Sequence, residues 1–346
     1  METLIGDEVK NLLSKSKDTW LITGVAGFIG SNLLETLLLE KQNVRGFDNY
    51  LTGSKDNLLQ VRQKVGEDLW SNFRMFEGDI RNLDNCMKAC NGVDYVLHQA
   101  ALGSVPRSFE NPGLTNEINI GGFLNMLIAA KSCHVKVFVY ASSSAVYGDQ
   151  ADSPKVEHRI GNLLSPYAVS KRANELYSKM YSLVDGVQTV GLRYFNVFGP
   201  RQDPMGAYAA VIPRWIDCLI NNKEIFINGD GQISRDFCYV QNVVDANILS
   251  ALNISKTISG KIFNIAVGES TTLNQLKNLI NESICELSSG GEIKDLNVIY
   301  REARKGDIQH SLADITKAKK FLNYVPRFNI SDGMMQTVKW FMNRKT

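Results

Sequence analysis

Short apolar runs alternate with amphipathic stretches through the first half of the chain. Runs of strand length fall at residues 19–23, 44–49, 73–77, 95–100, 135–142 and 189–195, with a further one at 261–266. Residues 31–40 and 114–131 carry apolar positions at helical spacing. Strands alternating with helices predict right-handed β-α-β units and a parallel sheet. The strands are apolar almost throughout, as expected when helices cover both sheet faces. The 261–266 run is expected to return to the same sheet.

Beyond Gly199 the pattern changes. Gly199-Pro200-Arg201-Gln202-Asp203-Pro204 has loop composition, and helices then mix with short strands. The predicted class is α/β, a Rossmann-type doubly wound parallel sheet with a smaller mixed α/β C-terminal substrate domain. Residues 1–199 with about 240–268 are assigned to the first unit, and about 200–239 with 269–346 to the second.

Composition narrows the partners. A chain of 346 residues can bury a sizeable core. The formal charge is +2 and no long basic run occurs, so no nucleic acid is expected. The longest apolar stretches are only strand-length, and residues 1–18 lack the charged-then-apolar order of a signal segment. Six cysteines without a C-x-x-C and four scattered histidines suggest thiols in a reducing cytosol, with no disulfide framework and no metal. A cytoplasmic, membrane-free protein is the expectation.

The strand Trp20-Leu21-Ile22-Thr23 runs into Gly24-Val25-Ala26-Gly27-Phe28-Ile29-Gly30 and then into a helix. Glycines allow a tight turn and close approach to a pyrophosphate, and the helix start supplies free N–H groups. Asp48 ends the second strand 18 residues after Gly30, where a carboxylate can accept from a ribose diol and repel a 2′-phosphate. NAD is therefore favoured over NADP. Asp79, in Gly78-Asp79-Ile80, is placed either to meet an adenine or simply to end its strand in a turn.

Ser165-Pro166 marks a helix start, and Tyr167 and Lys171 follow four residues apart, one turn along the same helix. Val169, Ala173, Leu176, Met180 and Leu183 recur at helical spacing and predict a core-facing stripe. A tyrosine serving as a base near neutrality must have its pKa lowered by about three, roughly 4 kcal/mol. A lysine ammonium, a cationic nicotinamide and a helix N-terminus all favour the phenolate. Upstream, Ala141-Ser142-Ser143-Ser144 ends a strand where hydroxyls face the ligand crevice of a parallel sheet.

With these motifs in order, the sequence resembles the extended short-chain dehydrogenase/reductase superfamily, and within it the UDP-sugar 4-epimerases that prefer N-acetylated hexoses. The likeness also rests on His98-Gln99-Ala100-Ala101, Arg193-Tyr194-Phe195-Asn196, Asn228-Gly229-Asp230-Gly231, Ser234-Arg235-Asp236 and Arg304-Lys305-Gly306-Asp307. It implies a tightly held NAD, regenerated each turnover. The cofactor's contacts would be Gly24, Gly27, Phe28, Ile29, Gly30, Asp48, Asn49, Asp79, Ile80, Gln99, Ala100 and Asn119, with Tyr167 and Lys171. It implies Tyr167 as the proton-transfer group at the sugar 4-hydroxyl, Ser143 on the same oxygen with Ser142 close by, and Lys171 on the nicotinamide ribose.

For the UDP-sugar, the resemblance implies Asn196, Arg235, Arg304 and Asp307 as uracil, ribose and pyrophosphate contacts. Arginine suits a pyrophosphate because its fork donates two charged hydrogen bonds. Relatives restricted to glucose and galactose close the sugar pocket with a tyrosine at the position of Ser311. Gly103, Ser104, Ser144, Gln202 and Ala210 fall where acetamido-preferring relatives carry small or polar residues. The matching 6-carboxylate sugar would want an extra cation, for which Arg107, Arg201 and His310 are available. A 4,6-dehydratase is disfavoured because the strand end carries no carboxylate, and a non-catalytic NAD sensor because Tyr167 and Lys171 are intact. A homodimer through helices spanning 114–131 and 165–183 is the expected assembly.

Overall fold

The computed structural model describes residues 4–206, 209–288, 297–303 and 309–344. Seven strands form one parallel sheet: β1 (Thr19–Thr23), β2 (Asn43–Asp48), β3 (Phe73–Glu77), β4 (Tyr95–His98), β5 (Val137–Ser143), β6 (Thr189–Tyr194) and β7 (Lys261–Ile265). Their order is β7-β6-β5-β4-β1-β2-β3. All seven predicted runs are present, with ends displaced by no more than two residues.

The alternation of side chains along each strand divides the core in two. Trp20, Ile22, Leu97, Val137 and Val139 face one side and pack with α1 (Phe28–Leu39). Leu21, Val96, Phe138 and Tyr140 face the other and pack with α2 (Phe123–Ser132). The chain leaves β1 toward β2 and β3, then crosses back to place β4 on the opposite flank of β1. That reversal opens a crevice at the carboxyl ends of β1 and β4, the usual ligand position in open α/β sheets.

The predicted helix over 114–131 is a continuous run broken in character. A short helix, Pro112–Asn116, passes through a π-helical turn, Glu117–Gly122, into α2. Prediction from periodicity fails on α3 (Pro166–Met180). Val169, Leu176, Met180 and Leu183 were expected inside, but all four are exposed, Leu183 at 75%. The buried side chains of α3 are instead Ala168, Ser170, Lys171, Asn174, Glu175 and Ser178. The inward face is polar because it meets polar partners: Glu175 pairs with Arg193, and Ser178 Oγ donates to Thr189 Oγ1 at 2.7 Å.

A third cluster gathers Trp215, Ile216, Ile280, Met334 and Val338 from the helices Val211–Ile220, Leu273–Leu287 and Ile330–Asn343. α4 (Val240–Leu252) returns the chain to the main sheet. A small ladder joins Ser234–Arg235 to Thr271–Thr272 on one side and His310–Ser311 on the other. Ala318 and Leu322 of the helix Thr316–Leu322, within the segment assigned from sequence to the second unit, pack in the sheet core with Phe263 of β7.

Candidate active site

A cleft of about 530 Å3 runs along the carboxyl edge of the sheet. The glycine turn forms its floor. Gly24 adopts φ +69°, and a Cβ there would lie 2.8 Å from the Ala100 nitrogen on the neighbouring strand end. A Cβ on Gly30 would lie 2.1 Å from the Gly24 carbonyl, so only glycine lets α1 start this close to the turn. Gly27, Phe28 and Ile29 also line the cleft. A dinucleotide pyrophosphate fits here, against backbone rather than side chains.

Asp48 lies at the mouth of this turn. Its Oδ2 accepts from the Ala26 N–H at 2.9 Å and its Oδ1 from the Tyr50 N–H at 2.8 Å. Burial raises its pKa, and these two N–H groups with that of Asn49 pull the other way. Asn49 Nδ2 donates to Asp79 Oδ2 at 2.8 Å, and Arg81 forks onto the same carboxylate, holding Asp79 at about 2. Asp79 and Ile80 do reach the cleft wall, with Asp79 already paired.

At the other end of the cleft stand Tyr167 and Lys171. Lys171 is buried, its Nζ donates to the Ala141 carbonyl at 2.9 Å, and burial lowers its pKa to about 8. Nζ lies 5.9 Å from the Tyr167 ring centre. Tyr167 shares a hydrogen bond with Ser143, but burial moves its pKa upward. Burial thus opposes the lowering that the lysine, a nicotinamide cation and the helix N-terminus are together expected to supply, and the Lys171 ammonium itself donates to Ala141. Ser143 Oγ also accepts from the Ala145 N–H, capping the short helix Ser144–Tyr147.

The two serines differ. Ser142 borders the cleft, but its Oγ donates backward to Glu175 Oε1 at 2.7 Å. Glu175 is enclosed with the Arg193 guanidinium, which bonds both its oxygens at 2.8 and 2.9 Å. Burial works to raise the Glu175 pKa, and Arg193 overrides it. This ion pair behind α3 is not predicted from the sequence, although Glu175 follows Lys171 by one turn and Arg193 opens the run Arg193-Tyr194-Phe195-Asn196.

Gln99, Ala100, Gly103, Ser104, Gln202 and Ala210 all reach the cleft. Gln99 is held by Asn247 and Tyr194. Ser104 takes φ +94° and caps the helix Val105–Glu110 through the Arg107 N–H. Asn119 does not line the cleft. Its buried amide bonds both Leu102 backbone groups and Ser170 Oγ, so it staples the loop after β4 to α3. Ser144 also lies off the cleft wall. Asn196, Arg235 and Ser311 gather instead around the small ladder, where Asn196 Nδ2 donates to the Asp236 carbonyl. Arg304 and Asp307 lie outside the described residues.

Of the three cations considered for a uronate, only Arg107 borders the cleft. Arg201 is buried against α1, bonding Ser31, Asn32 and Glu35. His310 Nδ1 bonds Ser234 Oγ. Among the described residues no His, Cys, Asp or Glu cluster could hold a metal, and no helix is long and apolar enough to cross a membrane.

A doubly wound sheet, a glycine cradle and a Tyr–Lys pair on one helix define an NAD-dependent enzyme of the extended short-chain dehydrogenase/reductase type. The pattern of the "NAD dependent epimerase/dehydratase family" matches residues 20–266, and the chain belongs to that family. It is 33% identical to a UDP-glucuronate 4-epimerase of Thermodesulfobacterium geofontis, over 93% of this chain and 95% of that one. A UDP-glucose 4-epimerase of Mycolicibacterium smegmatis is 31% identical over 94% and 98%. Among solved structures, a UDP-N-acetylglucosamine 4-epimerase from Methanobrevibacter ruminantium M1, in complex with UDP-N-acetylmuramic acid, superposes with a TM-score of 0.85. It shares 37% identity, covering 95% of this chain and 99% of that one. NAD is the family's cofactor, and the protein is an isomerase of this kind.

Proposed function

We propose that the protein interconverts the C4 epimers of a UDP-N-acetylhexosamine, UDP-GlcNAc and UDP-GalNAc. The observation that carries this is the meeting of Tyr167, Ser143 and Lys171 at one end of a cleft whose other end is the glycine cradle. Gly24, Gly30 and Asp48 would hold NAD, which when bound supplies the hydride acceptor and donor for the sugar C4. Tyr167 exchanges a proton with the sugar O4, and Ser143 holds that oxygen in line. Lys171, buried beside them, stabilises the phenolate as Tyr167 gives up its proton.

Small lining residues, Gly103, Ser104 and Ala210, favour a sugar with a 2-acetamido group, since steric exclusion is what would reject it. Ser311 supports the same choice through the resemblance alone. The corresponding uronate is a second reading, favoured by Arg107 on the cleft wall. The exposed stripe Val169, Leu176, Met180 and Leu183 favours a homodimer packed across α3.

The test uses purified protein with no added NAD, given UDP-GlcNAc, UDP-Glc and UDP-GlcNAcA in parallel, with products assigned by NMR of H4. Turnover of an acetamido sugar with little conversion of UDP-Glc is expected. Absence of all three products, or a 4-keto-6-deoxy sugar, sinks the reading. Tyr167→Phe is expected to cut kcat by about 10²–10⁴-fold while NAD stays bound.

A further inference from the structure

Asp236 has no role in the chemistry above, yet it is fully buried at the junction of four chain segments. Its Oδ1 accepts from the Val267 N–H at 3.0 Å. Its Oδ2 accepts from Gly268 at 3.0 Å and from Ala313 at 3.3 Å. Its own N–H donates to the Ser311 carbonyl at 2.8 Å, and its carbonyl accepts from Asn196 Nδ2 at 3.1 Å. One residue thus ties the turn after β6, the Ser234–Arg235 strand, the turn after β7 and the strand holding Ser311. Asn196 and Ser311, which its backbone holds, and Arg235, its chain neighbour, are those that the resemblance assigns to the sugar nucleotide.

We propose that Asp236 is a positioning residue for the sugar-nucleotide substrate: its backbone holds Asn196 and Ser311, and its carboxylate locks Val267, Gly268 and Ala313 around them, which fixes the spacing of Asn196, Arg235 and Ser311. This rests on the UDP-sugar reading. Asp236 does not line the cleft that holds Tyr167, so its effect falls on binding rather than on proton transfer. Three N–H groups converge on a carboxylate that accepts them all only while it is ionised or nearly so. Burial raises its pKa to about 6, the three N–H groups opposing and Glu269 adding to the rise. Cys238 and Tyr324 are the other titratable groups facing it, and His310 stands on the adjoining strand. Below that pH the carboxyl gains a proton, one acceptor position is lost, and the four segments are free to separate.

Asp236→Asn preserves shape but turns an NH2 toward backbone donors. KM for UDP-GlcNAc is expected to rise about tenfold, with kcat within about twofold and NAD content unchanged. An unchanged KM overturns the proposal. So does a matching fall in kcat and kcat/KM, or loss of NAD, either of which marks a general structural role. Should the variant not fold, calorimetric titration of wild type with UDP-GlcNAc from about pH 7.5 to 5 decides. UDP-GlcNAc is used because its pyrophosphate diester has no ionisation near pH 6. Weakening through pH 6 in wild type and equally in His310→Gln supports Asp236; a flat profile, or one abolished by His310→Gln, overturns it. Tight binding of UDP-GlcNAc without turnover would sink the epimerase reading while leaving this titration decisive, and absence of binding would overturn both.

Discussion

Gly30→Ala tests the cofactor cradle directly. The new Cβ would lie 2.1 Å from the Gly24 carbonyl oxygen and 2.8 Å from both the Gly24 carbonyl carbon and the Val25 Cα. All three are backbone atoms, so no side chain can rotate away. Ordinary contact begins at 3.4 Å, and the start of α1 must therefore retreat by about 1.3 Å. Overpacking of this kind costs roughly 1–3 kcal/mol. The strain falls where the N–H groups at the helix start meet the pyrophosphate, so most of it appears as lost NAD affinity, about tenfold to a hundredfold. The assay is dinucleotide released by acid from protein purified without NAD, alongside epimerisation with and without added NAD. Substoichiometric NAD and activity restored by supplement are expected. A variant with a full NAD complement and unsupplemented activity would refute the steric reasoning.

Ser143→Ala should lower kcat by about 10²-fold with NAD retained. Ser142→Ala should cost about 1 kcal/mol of stability and leave kcat within severalfold; equal kcat losses would contradict the different directions of the two hydroxyls. Lys171 has its pKa lowered to about 8 in the folded state, so between pH 8 and its ordinary 10.5 the unfolded chain binds more protons. Stability of wild type relative to Lys171→Met should therefore rise with pH across that window, measured by urea unfolding; a falling difference would reverse the assignment. Leu176→Arg should convert a dimer to a monomer in light scattering, and a wild-type monomer would dismiss the interface on α3.

The inner strands were legible because they are buried on both faces and read as largely apolar runs, whereas the edge strand β3 interleaves exposed Arg74 and Glu77. The glycine turn was legible for a similar reason, since φ and close approach constrain residue type itself. Helix α3 was not. Periodicity shows that a helix has two faces, but not which one points inward. Here Ser170 and Glu175 face inward because Asn119, Ser142 and Arg193 meet them there. Partners so distant in sequence leave no local signal. The neighbourhood of Asn119 and Ser142 was legible but the direction of their polar groups was not: proximity to a site is encoded by the strand end, whereas the direction of a hydroxyl or amide is set by the groups behind it. The cluster around Asp236 gathers residues 31 to 77 positions away and lies wholly beyond local pattern.

The carboxylate of Asp48 has a consequence for how this enzyme could change over generations. The two oxygens that fasten the glycine turn through Ala26 and Tyr50 are those that, on the proposed reading, would also repel the phosphorylated dinucleotide. Replacing the acid to welcome a 2′-phosphate would at once unlatch the turn that any dinucleotide requires. The path from one redox currency to the other thus passes through a variant that handles neither, unless a new latch for Ala26 and Tyr50 arises first. On that reading cofactor preference is locked by architecture, and a designer wishing to alter it must rebuild the turn before touching the charge.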